Sequence, residues 1–280
     1  MGTDETWVFD EEELRLYTPS RSDGISYEEE LSTLNRHVEK MQEGAVLLRL
    51  IGFPAYVAII LFRRYFLVES LKGSDVEAIA AASLFVSGKV CEYLRACKDI
   101  IYCCRKVYTK DSADFPDGEE ITEDNVHFFD EKIRLLTAER DVLRVLNFDL
   151  NVVLPHDKIK EMITELFGAG TTGRHVHQAS INFLVESMGN ETHITHSSTE
   201  IAAACIIIGS AYSHVDLSEA STYDKHASRI RKLYDAYSLD PKRVQRAVQM
   251  VGIEAQRLRI QKHYGIDISS GMSDADEKLK

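Results

Sequence analysis

The feature that most constrains the fold is a helical segment that is apolar on every side and occurs twice. Residues 79–84 read Ile-Ala-Ala-Ala-Ser-Leu, and residues 201–206 read Ile-Ala-Ala-Ala-Cys-Ile. A helix without a polar face must be surrounded by other helices, and its alanines let those neighbours approach closely. Each copy is therefore predicted to be the central helix of its own bundle. Leucine at Ala81 or Ala203 is expected to overpack such a helix, at a cost of roughly 1–3 kcal/mol.

A second repeated segment precedes each of these helices. Residues 66–70 and 183–187 both read Phe-Leu-Val-Glu-Ser. Apolar residues recur at intervals of three and four along most of the chain, and only five prolines occur in 280 residues. This pattern is typical of amphipathic helices. We therefore predict an all-α fold of two tandem repeats, each with five helices around a central apolar one.

The predicted helices follow the same plan in both repeats. They lie at 27–50, 54–70, 74–92, 94–108 and 123–148 in the first repeat, and at 155–167, 174–188, 197–212, 219–237 and 240–264 in the second. The domains predicted from this pattern are an N-terminal extension at 1–26, a first repeat at 27–150 and a second repeat at 151–264. A tail at 265–280, rich in Ser, Asp and Gly, is expected to be disordered. The acidic stretch 110–124, with Pro116 and Gly118, is predicted to be a surface loop.

The composition excludes several classes of function. Asp and Glu outnumber Lys and Arg by 45 to 33, which argues against a broad phosphate-binding surface, so direct binding of nucleic acid is not expected. The longest apolar runs are shorter than the roughly 18 residues that span a membrane, so no membrane association is expected. Residues 1–10 contain no apolar core of a signal peptide, and the five cysteines follow no disulfide rhythm. Both observations favour an intracellular protein with reduced thiols.

Some segments of the sequence look at first like cofactor-binding or metal-binding motifs, but ordinary loop, core and surface residues explain them better. A Gly-x-Gly-x-x-Gly sequence at 168–173 follows a predicted helix, whereas a dinucleotide site requires a preceding strand, so we interpret it as an interhelical loop. The cysteines near Cys97 and the histidines near His193 lack the paired spacing of a structural zinc site. No signature of serine or cysteine catalysis is found. We therefore expect no enzymatic activity, no metal and no cofactor.

Two motifs in the first repeat resemble signatures of the cyclin family. Residues 84–92, Leu-Phe-Val-Ser-Gly-Lys-Val-Cys-Glu, resemble the third-helix motif. Thr-Ala-Glu-Arg at 137–140 and Val-Leu-Asn-Phe-Asp-Leu at 145–150 resemble the fifth-helix signature. The resemblance covers about 7–258 and implies the double cyclin fold. It also implies a non-catalytic subunit that binds a cyclin-dependent kinase as a heterodimer and activates it.

Finer features are similar to transcriptional cyclins of the K and T kinds. They are Trp-Val-Phe at 7–9, Thr-Pro-Ser-Arg at 18–21, Cys-Lys-Asp-Ile-Ile at 97–101 and Leu-Pro-His at 154–156. The resemblance implies a nuclear role in transcription, in which the partner kinase phosphorylates the C-terminal tail of RNA polymerase II. The first helix also lacks the Met-Arg-Ala-Ile-Leu docking motif of cell-cycle cyclins.

Some alternatives stay open on the sequence alone. Cys91 stands where the family usually has a glutamate. Cyclins of the K and T kinds commonly have tryptophans after the third helix of the second repeat, whereas Trp7 is the single tryptophan of this chain. A cyclin of the H, C or L kind is therefore an alternative. So are a TFIIB-like general transcription factor and a scaffold that binds only a peptide. A TFIIB-like factor would need a basic DNA-facing surface and usually a zinc ribbon, whereas the segment before Tyr27 contains no cysteine.

The resemblance also assigns a kinase-binding site. Lys89, at the end of the first central helix, would bind carbonyls at the entry of the kinase's C helix, and Glu139 would accept amides from the same stretch. Taken singly, both residues could be ordinary surface charges. The repeat aligns Lys89 with Ala211, however, and a lysine needed for the bundle itself should occur in both copies. The apolar positions that match the family's contact surface are Val86, Val90, Leu143, Phe148 and Leu150.

Overall fold

The computed structural model of the protein describes residues 7–109, 126–168, 170–217 and 229–264. All regular secondary structure in these ranges is helical, which confirms the predicted all-α class. The predicted loop at 110–124 and the predicted tail at 265–280 lie outside the described residues. In the part that is described, no helix is both long enough and apolar enough to cross a bilayer.

The chain divides into two compact units. One spans Phe9–Val152, and the other joins the described residues from Val153 onward with Trp7 and Val8. The first unit contains α1 Glu11–Leu16, α2 Pro19–Ser22, α3 Tyr27–Leu47, α4 Phe53–Val68, α5 Val76–Val90, α6 Cys97–Tyr108 and α7 Val126–Val145. The second contains α8 Pro155–Phe167, α9 Thr171–Glu186, α10 Thr192–Thr195, α11 Ser198–Tyr212, α12 Arg229–Ala236 and α13 Pro241–Tyr264.

Local signals explain where the main helices of the first unit begin. The Ser26 hydroxyl accepts a hydrogen bond from the amide of Glu29 and so caps α3. Pro54 lies in the first turn of α4, where its missing amide hydrogen is tolerated. The Asp75 carboxylate accepts from the amide of Ala78 at the start of α5.

Helix α5 is the centre of the first unit. It contacts α3, α4, α6 and α7, and its residues are buried on every side from Ala78 to Gly88 except at Ala81. Its two serines fit in the core because their hydroxyls donate back to the carbonyls of Ile79 and Leu84. The predicted central helix is therefore present.

Helix α11 has the same position in the second unit. It contacts α8, α9, α10 and α13, and residues 201–206 are at most 1% exposed. Gly209 permits the close approach of α9, since a Cβ there would lie 2.7 Å from the Ser180 hydroxyl oxygen. Such a contact leaves no room for a side chain.

The two central helices match in backbone as well as in sequence. Both α5 and α11 have 15 residues, and in each the second residue after the helix is left-handed. These residues are Glu92, with φ of 63°, and His214, with φ of 55°. The repeat therefore includes the way in which each central helix ends.

Several predicted boundaries were wrong by a few residues. Helix α3 was predicted to reach residue 50 but ends at Leu47, because Arg49 adopts a left-handed conformation and the Leu50 amide donates to the Ala45 carbonyl. The Gly-x-Gly-x-x-Gly sequence lies between helices, as predicted, although its last three residues already belong to α9.

The N-terminal extension contains two short helices that the sequence interpretation did not include. Helices α1 and α2 are too short to give a clear periodic signal. Thr18 and Arg21 both donate to the buried Glu30 carboxylate, which fixes this segment against α3. The Leu71 amide donates to the Ser20 hydroxyl on α2.

Candidate functional site

Folding of the first unit brings Lys89 and Glu139 into contact. Although 50 residues separate them in sequence, the Lys89 Nζ lies 2.5 Å from the Glu139 Oε1, which joins the end of α5 to α7. The ammonium also lies 4.0 Å from the centre of the Phe85 ring, a favourable cation–π distance. The Lys89 side chain is 44% exposed and that of Glu139 is 13% exposed.

The Lys89–Glu139 ion pair contributes little to the stability of the bundle. An ion pair with one half-exposed member contributes about 0–1 kcal/mol, because water screens the attraction and the long side chain loses freedom. Position 211 of α11, which the repeat aligns with Lys89, is an alanine. Since the second unit forms an enclosed central helix without this pair, the fold does not depend on it. Exchange of this pair for contacts with a partner would therefore cost the fold little.

The loop after α5 is held in place by Arg95. Its Nε donates to the Leu48 carbonyl at 2.5 Å, and its guanidinium also donates to the Arg49 carbonyl, so the loop is fixed against the end of α3. Tyr93 and Leu94, in this loop, are both exposed. Neither residue belongs to a motif in the sequence, because their exposure depends on how the loop packs.

The turn after α7 is strained and displays an aromatic side chain. Asn147 and Phe148 are both left-handed, with φ of 49° and 59°. Such a conformation costs about 1–3 kcal/mol for each residue that is not glycine, and it is concentrated at functional sites. The Phe148 amide donates to the Leu143 carbonyl at 2.9 Å, while the residue as a whole is 71% exposed. The buried Arg64 anchors the end of this segment by donating to the Asn151 carbonyl at 2.8 Å.

The predicted contact residues differ in exposure. Val90 and Phe148 are exposed, whereas Leu143 and Leu150 are half-buried. The expectation that Val86 lies on the contact surface is corrected, because this residue is 2% exposed and lies in the core. Helix α5 stays enclosed as far as Gly88 and emerges only over its last residues. Val86 therefore supports the candidate surface from beneath and contributes no contact area of its own.

A separate cavity of about 400 Å³ lies between α5, α6 and α7. Ala78, Ala81, Arg134 and Leu135 form part of its lining. Arg134 pairs with Asp75, and its hydrogen bonds hold the pKa of that carboxyl below the usual value. Burial raises the pKa of the Cys104 thiol in the lining to about 12, which disfavours its thiolate form. Across the described residues, no three His, Cys, Asp or Glu side chains are grouped to hold a metal ion.

Comparisons with known proteins identify the class of this fold. A chain in the yeast RNA Pol II CTD kinase CTDK-1 complex has a TM-score of 0.67 at 15% identity, covering 94% of this chain and 76% of that one. A chain in the yeast TFIIK (Kin28/Ccl1/Tfb3) complex has a TM-score of 0.62 at 17% identity, covering 88% of this chain and 96% of that one. At these identities the likeness shows the fold alone, which is the double helical repeat of cyclins.

Sequence relatives show the family. The family model described as "Cyclin, N-terminal domain" matches residues 48–151. An uncharacterized cyclin-L1-like protein of Schizosaccharomyces pombe is 30% identical over 189 residues, which cover 66% of this chain and 71% of that protein. Cyclin-T1.2 of Caenorhabditis elegans is 26% identical over 233 residues, covering 78% of this chain and 39% of that protein. The chain belongs to the cyclin family, and its relatives include cyclins of the T and L kinds.

The chain spans only part of several of these relatives. It covers 39% of Cyclin-T1.2 and 35% of Cyclin-T1-5 of Arabidopsis thaliana, to which it is 26% identical over 211 residues. The predicted resemblance to transcriptional cyclins is confirmed at the level of the family. Cyclin membership also decides between the cyclin and TFIIB-like alternatives that the sequence analysis left open.

Proposed function

We propose that the chain is the regulatory subunit of a cyclin-dependent kinase and that the heterodimer phosphorylates the C-terminal tail of RNA polymerase II in the nucleus. Membership of the cyclin family and similarity to T cyclins support the regulatory role. The likeness in fold to a chain of a Pol II CTD kinase complex is consistent with this substrate. The single observation that carries the proposal is the contact between Lys89 and Glu139, the two residues that the resemblance to cyclins assigns to binding of the kinase C helix.

The two charges would act on a mobile element of the kinase. An active kinase needs its C helix turned inward so that a lysine–glutamate pair forms in its own active site. A partner can shift that equilibrium only by binding the inward state more tightly than the outward one. Lys89 would exchange Glu139 for backbone carbonyls at the C-helix entry, and Glu139 would accept backbone amides there. These charge-assisted hydrogen bonds are directional, so they favour one orientation of the helix.

The apolar residues that the resemblance assigns to the same surface would supply most of the affinity. Val90 and Phe148 are exposed, and burial of such surface contributes about 25 cal/mol per Å². Phe148 is the expected anchor, since aromatic residues in the centre of an interface often dominate binding. Its strained turn keeps it displayed before the kinase arrives, so less conformational freedom is lost on binding. The chain itself would supply no catalytic group.

A charge reversal tests the proposal directly. Lys89→Glu should abolish activation of the kinase while helix content and thermal stability stay close to those of the wild type, because the pair contributes little to folding. The assay is phosphorylation of a polymerase-tail peptide by a panel of recombinant cyclin-dependent kinase catalytic subunits mixed with the chain.

The chain offers a matched control for this experiment. Lys158 pairs with Glu161 at 3.2 Å on α8, and its side chain is exposed to a similar degree. Lys158→Glu should leave activation unchanged. Full activation by Lys89→Glu would show that the site is misassigned, and failure of the wild-type chain to activate any kinase of the panel would refute the proposed function.

A further inference from the structure

The cavity between α5, α6 and α7 has the size and the mixed lining of a ligand-binding site. Its volume of about 400 Å³ lies within the roughly 300–1,000 Å³ that is usual for such sites. Ala81, Ile101 and Leu135 supply apolar surface, and each of the three helices also contributes charged side chains. Neither Lys89 nor Glu139 belongs to the lining. The cavity is therefore separate from the charged pair of the proposed kinase contact.

An anion is a poor match for this cavity, because Arg134 is already bound by carboxylates. Its Nε and Nη2 atoms donate to the two oxygens of Asp75 at 2.5 and 2.6 Å, and its Nη1 donates to a Glu131 oxygen at 3.3 Å. All three guanidinium nitrogens therefore have an acidic partner. A phosphate or carboxylate ligand would have to displace these groups before it could use Arg134.

The charges that remain in the cavity favour a cation. Three carboxylates line it against two guanidinium groups, and the Asp75 carboxylate bound to Arg134 makes a fourth. The lining residues concerned are Glu77, Asp130, Glu131, Arg105 and Arg134. Burial raises the pKa of the Cys104 thiol to about 12, and the negative charge of Glu77 adds to this rise, so its field reaches the interior. A cleft with an excess of one charge attracts a ligand of the opposite sign.

The chain next to the cavity adds further negative charge. Thr109 and His127 both line the cavity, and the 17 residues between them include seven acids and one lysine. This charge therefore begins and ends beside the cavity. It strengthens the attraction for a cation, whereas the acidic segment itself would be repelled by the carboxylates of the lining. The occupant should therefore come from another molecule.

We propose that the cavity is a docking site for an arginine side chain of a second partner protein, which the chain can hold together with the kinase. The apolar stem of arginine matches the apolar wall. Its planar guanidinium can bind carboxylates from two helices through directional pairs of hydrogen bonds, which the point charge of lysine cannot form. This inference goes beyond the proposed function and does not depend on it.

The test is a titration with a short peptide that presents one arginine. The probe is Ac-Ala-Arg-Ala-NH2, and its control replaces arginine by citrulline, which has the same shape but no charge. Binding is followed by methyl NMR of the chain labelled at alanine and leucine. We expect the methyl signals of Ala78, Ala81 and Leu135 to shift while that of Ala203 does not.

The expected Kd is on the order of 1 mM for the arginine peptide and at least about tenfold higher for the citrulline peptide, because charge-assisted hydrogen bonds are lost. Equal binding of the two peptides would overturn the proposal. So would the absence of any shift at these three methyl groups up to about 10 mM arginine peptide.

Two variants test the site from the side of the protein. Ala81→Leu fills the cavity and should raise the Kd by about tenfold or more, and Asp130→Asn removes one carboxylate and should raise it by about threefold. Glu28→Gln removes an exposed acid at the start of α3, outside the lining, and should leave the Kd unchanged. Wild-type affinity in both cavity variants would overturn the proposal. Should Ala81→Leu fail to fold, Asp130→Asn and the citrulline comparison still decide the matter.

A last measurement separates this site from the kinase contact. The titration is repeated with the chain bound to the kinase of the panel that it activates, and the Kd of the arginine peptide should be unchanged. Loss of peptide binding in that complex would place the cavity inside the kinase contact and would overturn the assignment to a second partner. Failure of the peptide titration, in turn, would leave the proposed activation of a kinase untouched.

Discussion

Leucine at Ala203 should destabilise the second unit, whereas leucine at the matching Ala81 should not. The repeat places the two alanines at the same point of α11 and α5. Ala203 is 0% exposed, and Ala202 and Ala204 beside it are equally buried. Protein interiors are packed as densely as organic crystals, so the added carbons of leucine must displace neighbouring helices. Ala81 instead lines the cavity of about 400 Å³ between α5, α6 and α7, which can accept a larger side chain.

The expected changes in stability follow from this difference in packing around Ala203 and Ala81. Overpacking at Ala203 should cost roughly 1–3 kcal/mol, which lowers the melting temperature by about 2–10 °C for a chain of this size. Ala81→Leu should leave the melting temperature unchanged or raise it, because its side chain fills existing space. The earlier expectation that leucine overpacks both positions is thus corrected for Ala81.

The assay is thermal and urea unfolding followed by far-UV circular dichroism, with both variants measured beside the wild type. Equal losses of stability in Ala81→Leu and Ala203→Leu would refute the reasoning, since the cavity would then not accommodate the side chain. No loss in Ala203→Leu would show that α11 is not enclosed as the structure describes.

Two further predictions concern close packing and pH. Gly209→Ala should cost about 1–3 kcal/mol, because its Cβ would lie 2.7 Å from the Ser180 hydroxyl oxygen; Gly252→Ala, with no atom within 4 Å of the new Cβ, should be neutral or stabilising by up to about 1 kcal/mol. Burial lowers the pKa of His37 from 6.5 to about 4, so the unfolded chain takes up a proton before the folded one does. Stability should therefore fall as the pH drops from about 6.5 to about 4, by no more than about 3 kcal/mol from this residue. In urea titrations at about pH 7 and about pH 5, His37→Gln should reduce the difference in unfolding free energy, and an unchanged difference would contradict the assignment.

The enclosed helices and their repetition could be predicted from the sequence because both are properties of short segments. A run of residues that is apolar on every side cannot face water wherever the chain places it, so residues 79–84 and 201–206 had to be central. Helix ends were less accurate, because the stop after α3 depends on the backbone conformation of Arg49, for which a non-glycine residue gives no clear signal.

The candidate site could be predicted only in part. The cyclin motifs identified Lys89 and Glu139, but their contact at 2.5 Å is a result of how α5 crosses α7. The same motifs included Val86, which is buried, and did not include the exposed Tyr93 and Leu94. Motifs record which residue types occur together along the chain, whereas exposure is set by the helices that lie alongside.

What the sequence determined by itself is the architecture: two all-helical repeats, each built around an apolar helix that must be surrounded. What only the tertiary structure decided is the local environment of each position. Ala81 and Ala203 lie in almost identical sequences, yet one borders a cavity and the other is fully enclosed. Apolar side chains on α7, among them Phe129, are likewise exposed only because no neighbouring helix of its unit covers them among the described residues. Burial is a relation between segments distant along the chain, so it has no signature within any one of them.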